Sequence, residues 1–433
     1  MTRPMTAPRP AAPPRWRALL VTPTASRLPV YLVVLAMPFV RPNLFGESLS
    51  VVGFGLLALA ALLAVVTGPG APGPERVPSP ATPVAACLGL AYLWLMIQAA
   101  ATDPSVAGPP AVQGLILTAG GVAAVAVVCR HEAGRLALAR AFVVVIAVLC
   151  ASYVVTVLIW TATGLGSGVL VSLHIGTAPE LQPIYLPFTP TLGTQSVFGT
   201  VFPRFTGLGR EPGWMAMYCA AAYFMTEMVG YRSKRLKLLI VAGLIGCIST
   251  AGFGVFVVAW AYHRFLRDRG TGISVANFAR QLSGIAAVAL AAWLAVAAPV
   301  LGLAAKTTQN VTSLDERQLA TEAGLRALFT SPLGGTATEV QGGINLVADI
   351  AVSGLPFVVL VCAALLLPLM RRRGAGGYSN VVVLIVFLTM LTSQPAKDST
   401  WAFALVAIAA SLRPPTVATE PDTTRKAAAR ERS

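Results

Sequence analysis

The sequence predicts an all-α fold, a polytopic transmembrane helical bundle with two extracytoplasmic loops. Three observations predict it. Of 433 residues, 56% are hydrophobic and only 11% charged, a balance that points to a bilayer-embedded chain rather than a large soluble core. Apolar runs of about twenty residues recur along the chain, the length that crosses a hydrocarbon core as helix. Basic residues gather at alternate ends of those runs, as cytoplasmic loops do. The formal charge of +15 therefore reads as orientation. No basic stripe is interleaved with exposed aromatics, so nucleic acid is not an expected partner.

Residues 1–27 are rich in Pro, Ala and Arg without an acidic residue and are expected to be a disordered cytoplasmic tail near anionic lipid. A short first span over 28–40 turns at Arg41-Pro42-Asn43, and a second runs from about Glu47 to Thr67. Gly and Pro in 68–80 exclude helix there. Spans follow over 81–100 and 111–129, separated by a turn at 102–110, and then over 141–163. Residues 164–212 carry too many Gly and Pro for a span and form the first external loop. The next span runs from Pro212 to about Gly230.

Between basic clusters at 232–237 and 264–269 lie only the residues 238–266. A segment that must enter and return over that length predicts two short helices broken near Ser249-Thr250-Ala251-Gly252. A span over 282–304 leads to the second external loop, 305–343, followed by spans over 344–370, 380–393 and 399–412 and a disordered tail over 413–433. Counting the hairpin as two, about twelve helices make up the domain 28–412. Both tails then lie in the cytoplasm and both long loops outside, at the plasma membrane.

Charge near the external ends is where function is sought. Arg204, Arg210 and Glu211 precede Pro212, which suits the first helical position because its missing N–H is already an orphan. One reading has Glu211 complementing the helix dipole while the arginines sit among headgroups. The other has Arg204 and Arg210 gripping a phosphate or pyrophosphate at the helix N-terminus, with Glu211 orienting an arginine or acting as a base. In the second loop Ser313 and Glu316 fit a capping box. At 100° per residue Leu314, Arg317, Thr321, Leu325 and Leu328 share the face turned to the bundle, with Asp315, Glu322 and Arg326 on a solvated one. Asp349, one turn inside a span, is costly in lipid and implies a partner or cavity, while Asn345 suits a cap. His174 in the first loop is a candidate acid or base. Glu227 is expected in a cytoplasmic ion pair, and Lys397-Asp398 in an outer turn.

The six cysteines lie in apolar segments without disulfide or zinc spacing. No P-loop, GxSxG, HExxH or acidic metal cluster is present, against ATP-driven transport, serine hydrolysis and metal-dependent glycosyl transfer. No metal or cofactor is implied.

Arg204-x-x-Gly207-x-x-x-Glu211-Pro212 before a span, the hairpin at Ser249, a helix bearing Arg317, Pro332 to Gly335 and Asn345 opening a span together resemble the O-antigen ligase and O-antigen polymerase superfamily. The resemblance covers most of 28–412 and implies a bundle of the C-type glycosyltransferase kind. It further implies metal-independent transfer of glycan from a polyprenyl-diphosphate-linked oligosaccharide donor to a glycan or lipid-linked glycan acceptor, within membrane lipid. Arg204, Arg210 and Arg317 would hold the diphosphate, and Glu211, Asp349 or His174 would serve the acceptor hydroxyl. Ligases often carry His before the Asn; here Ile344 stands there, which favours polymerase. A lipid-linked oligosaccharide flippase or polysaccharide exporter is the alternative, and would need charges along both halves of a path.

Overall fold

The computed structural model describes residues 27–67, 81–102, 104–164, 166–174, 181–197, 200–266, 283–284, 286, 311–334, 344–370 and 377–412. Both expected tails, the linker 68–80 and the expected span over 282–304 lie essentially outside them. The chain is mostly helical and carries in addition a small antiparallel sheet.

The first helix, α1 (Leu28–Ala36), ends in a 3-10 turn (Met37–Phe39). It is followed by α2 (Ser50–Val66) and α3 (Thr82–Ala101). Next, α4 (Pro104–Gly114) continues through a π-helical turn (Leu115–Gly120) into α5 (Gly121–Val128). The external turn expected over 102–110 is therefore helical from Pro104, with Pro109 and Pro110 inside it. The next helix, α6 (Glu132–Thr163), is longer than the expected span because Glu132 to Arg140 continue it outward from the apolar run.

The loop expected over 164–212 folds into the sheet. Strands β1 (Val169–His174), β2 (Leu181–Tyr185), β3 (Thr189–Val197) and β4 (Thr200–Phe205) pair as an antiparallel meander in that order. Polar and aromatic contacts fix it to the C-terminal half of α6. The Ser152 and Thr189 hydroxyls lie 2.7 Å apart, the Thr156 hydroxyl donates to the Leu186 carbonyl at 2.6 Å, and Tyr153 stacks on Phe205 at 4.8 Å between centroids.

Then come α7 (Pro212–Met228), α8 (Lys234–Gly246) and α9 (Thr250–Ala261), the last running into a π-helical turn (Tyr262–Leu266). The hairpin break falls at Ser249, whose side chain caps α9 by accepting from the Gly252 N–H at 3.2 Å. Last are α10 (Val311–Thr330), α11 (Asp349–Met370), α12 (Gly377–Thr392) and α13 (Thr400–Ser411). Helix α10 begins two residues before Ser313, so Ser313 is inside it and is not its cap. Glu227 pairs with Lys237, as an ion pair at that end of α7 requires.

Among the described residues four segments are long and apolar enough to cross a membrane: Thr82–Ala101, Ala107–Val128, Ala133–Thr163 and Asp349–Pro368. Shorter apolar helices accompany them. The core is contiguous: α7 and α13 are buried along their length, around Trp214, Tyr218, Phe224, Trp401 and Phe403. Cysteines are free and serve as packing residues, Cys150 and Cys219 approaching to 3.7 Å between sulfurs.

Candidate functional site

Local structure explains how the charged stretch before α7 is presented. Phe205 points at Tyr153 on α6, and strand alternation turns Arg204 to the opposite face of β4. A tight turn over 206–209 follows, with Gly207 at φ +50° and its Cβ position 2.9 Å from the Phe205 ring. Only glycine tolerates both the left-handed backbone and the crowding. Glu211 is the N-cap of α7 in extended conformation, yet its carboxylate accepts no hydrogen bond from the helix. The carboxylate is left to groups outside the helix.

That side chain opens into a cavity of about 720 Å³ whose walls are β3, β4, the starts of α7 and α9, the middle of α10, the approach to α11 and the end of α12. Arg204, Glu211 and Arg317 all line it, with Asn345, Gln394 and Glu322. Burial pulls the Arg204 guanidinium below its ordinary pKa, the Glu211 charge opposes that, and the nearby positive Arg317 adds to the lowering. Two cations are thus held close enough to repel, an arrangement that an anion between them relieves. Formal charge in the cavity is balanced, two arginines against Glu211 and Glu322. It can therefore hold an anion and also accept a proton.

Helix α10 supplies its residues through a close crossing. A Cβ on Gly324 would fall 2.6 Å from the Val347 carbonyl carbon and 3.0 Å from the Ala348 Cα, so the helix packs on the chain leading into α11 through a bare backbone. Ala320 and Ala327 share the buried side, while Leu325 is exposed. The expected apolar face is therefore rotated: small residues dock, and Arg317 and Thr321 flank the contact and reach the cavity. Glu322 is exposed together with Asp315 and Arg326, as the solvated face requires; it also borders the cavity and accepts from Gln318 Nε2 at 2.9 Å. Asn345 links the two helices, donating to the Thr321 hydroxyl at 3.0 Å and capping with its carbonyl the Ala348 N–H at 2.9 Å.

The other expected site residues lie elsewhere. Arg210 pairs with Glu47, which also pairs with Arg41 at 3.0 Å; Arg41 in turn reaches Asp398 at 2.9 Å. This network joins the strap between α1 and α2 to the turn before α7 and the turn before α13. Asn43 completes the strap, bridging to Gly209 and accepting from the Tyr218 hydroxyl at 2.5 Å. His174 is exposed at the end of β1. Asp349 is 0% exposed, faces the turn at Ala396 and Lys397, and does not line the cavity.

Gln394 went unnoticed in the sequence. It is 2% exposed, lines the cavity and donates from Nε2 to Glu211 Oε2 at 3.5 Å. Its room is made by Gly213, where a Cβ would collide with that amide nitrogen. The glycine after Glu-Pro was the available signal.

A second cavity, of about 410 Å³, lies between the end of α6 and β4 and is lined by no titratable residue. The larger cavity carries the charged side chains Arg204, Glu211, Arg317 and Glu322. Among the described residues no cluster of His, Cys, Asp or Glu has the grouping to hold a metal ion. No protein family, curated protein or solved structure matches the chain.

Proposed function

We propose that the protein is a membrane glycosyltransferase that extends or transfers polyprenyl-diphosphate-linked oligosaccharide at the outer face of the plasma membrane, as a polymerase rather than a ligase. The observation that carries this reading is the convergence of Arg204, Glu211 and Arg317, from chain segments more than a hundred residues apart, on one cavity. The motif resemblance supplies the substrate class and the C-type glycosyltransferase architecture.

In the proposed reaction the diphosphate lies between Arg204 and Arg317. An acceptor hydroxyl attacks the anomeric carbon from the face opposite the diphosphate, the carbon–oxygen bond to the diphosphate breaks, and configuration inverts. The hydroxyl proton passes to Glu211, and the departing electron pair stays on the diphosphate, stabilised by the two guanidinium groups. Charge stabilisation by preplaced donors is the larger contribution, since each such donor is worth about 10²–10³ in rate. Glu211 is the carboxylate suited to the proton, because Asp349 is sealed off and His174 is remote from the cavity.

The test is incubation of the purified protein in lipid with a defined polyprenyl-diphosphate oligosaccharide, followed by sizing of the glycans. Wild type should yield longer chains. Arg204→Ala and Arg317→Ala should each lower the rate by about 10²-fold or more while the protein accumulates normally. Near-normal extension by both variants would sink the proposal.

A further inference from the structure

The path of α10 relative to α3 and α11 carries an inference independent of the chemistry. Thr321 lies beside Asn345, Gly324 beside Val347 and Gly334 beside Gly354. Both numbers of each pair rise together, so α10 runs alongside the start of α11 in the same direction. Gly354 lies five residues into the apolar segment Asp349–Pro368, about 7 Å along a helix at 1.5 Å per residue. The neighbouring Gln98 is three residues from the end of Thr82–Ala101, roughly 4–5 Å by the same rise. The turn that follows α10, through Leu333 and Gly334, is therefore below the ends of both segments, and α10 descends to it from the level of Val347.

Backbone polar groups at that level are answered by protein. Helix α11 is interrupted at Gly354, φ +80°, and the carbonyls of Val352 and Ser353 accept from Gln98 Nε2 at 3.3 Å and Trp94 Nε1 at 2.9 Å. The Leu355 N–H donates to the Pro332 carbonyl at 2.7 Å, and the Leu333 carbonyl accepts from Gln98 Nε2 at 3.2 Å. Internal satisfaction of every freed group is what hydrocarbon demands of a broken helix. The outward side chains fit the same surroundings. Leu325, Phe329 and Leu333 are 50%, 84% and 63% exposed. Leu333, whose carbonyl meets Gln98, adjoins α3, and α3 itself exposes Leu93 and Ile97.

We infer that the C-terminal half of α10 is a membrane anchor: Leu325, Phe329 and Leu333 insert among the acyl chains of the outer leaflet, fixing the helix that carries Arg317 to the bilayer. The inference rests on α3 and α11 being membrane spans and not on the proposed transfer reaction. A solvated external helix would not carry large apolar side chains along its outward face down to a turn that lies within the depth of two spans.

Site-directed spin labelling of the full chain in phosphatidylcholine nanodiscs tests it. In a background lacking the part-exposed Cys87 and Cys362, nitroxides are placed on Leu325→Cys, Phe329→Cys, Leu93→Cys and Glu316→Cys. Collision with oxygen, which concentrates in lipid, is compared with collision with a water-soluble nickel chelate. The expected result is that Leu325, Phe329 and Leu93 labels favour oxygen several-fold, while the Glu316 label favours nickel. Nickel-favouring labels at Leu325 and Phe329 with oxygen-favouring Leu93 would overturn the anchor and leave the spans standing. Nickel at Leu93 as well would overturn both.

Discussion

At the scale of single residues, the position of Glu211 depends on what does not fill the first turn of α7. Gly213 leaves the space that Gln394 occupies, and Gln394 holds the carboxylate toward the cavity. Gly213→Ala puts a methyl against the movable end of a side chain, in a helix where alanine is favoured. Stability should change by less than about 1 kcal/mol, whereas glycan extension should fall about tenfold or more as Glu211 loses its partner. Comparing the thermal midpoint with the extension rate separates the two effects. Arg204, Glu211 and Arg317 were legible because charge beside an apolar helix is conspicuous. Gln394 was not, because a neutral amide in a turn between two apolar runs carries no pattern. Arg210 was misleading for the opposite reason: adjacent in sequence to Glu211, it points to Glu47, and a pairing across 163 residues leaves no local trace.

Among elements, α10 is the one whose docking decides whether the cavity exists. It packs through Gly324 against main chain that cannot move aside as a side chain can. Gly324→Leu should cost about 1–3 kcal/mol as overpacking. It should speed amide hydrogen exchange along α10 while α3 and α7 keep their protection, and diphosphate binding should weaken with it. The helices themselves were read well where apolar length was unambiguous, as in α3 and α7, and the hairpin break at Ser249 followed from two basic clusters too close for two full spans. The sheet escaped because Gly and Pro recur throughout 164–212, and strand pairing depends on partners that local composition does not encode. The face of α10 was legible in part: Leu328 packs on the core and Arg317 and Thr321 reach the cavity, but Leu325 is exposed, because the close crossing is made through Gly and Ala.

For the whole molecule, the strap at residues 40–47 is the tie that brings distant parts to one end of the bundle. Its charges are only partly exposed, Arg41 at 22% and Asp398 at 28% by side chain, so salt should screen them weakly. Arg41→Ala leaves Glu47 with Arg210 and leaves Asp398 with no cation, only the Tyr92 hydroxyl at 3.3 Å. It should cost about 1–3 kcal/mol in a denaturation midpoint, with a loss of extension larger than stability alone explains, because the 206–211 turn loses its support. The order of synthesis gives the same tie another meaning. Arg41 and Asp398 are separated by 357 residues, which at about 5–20 residues per second is roughly 20–70 s of translation. The first strap residue therefore waits for almost the entire chain to be made before its final partner arrives, and a chain stopped before Gln394 has neither the closed network nor the finished cavity. Closure of the network and completion of the cavity wall thus fall together in the same late stretch of synthesis, and a truncated product lacks both at once.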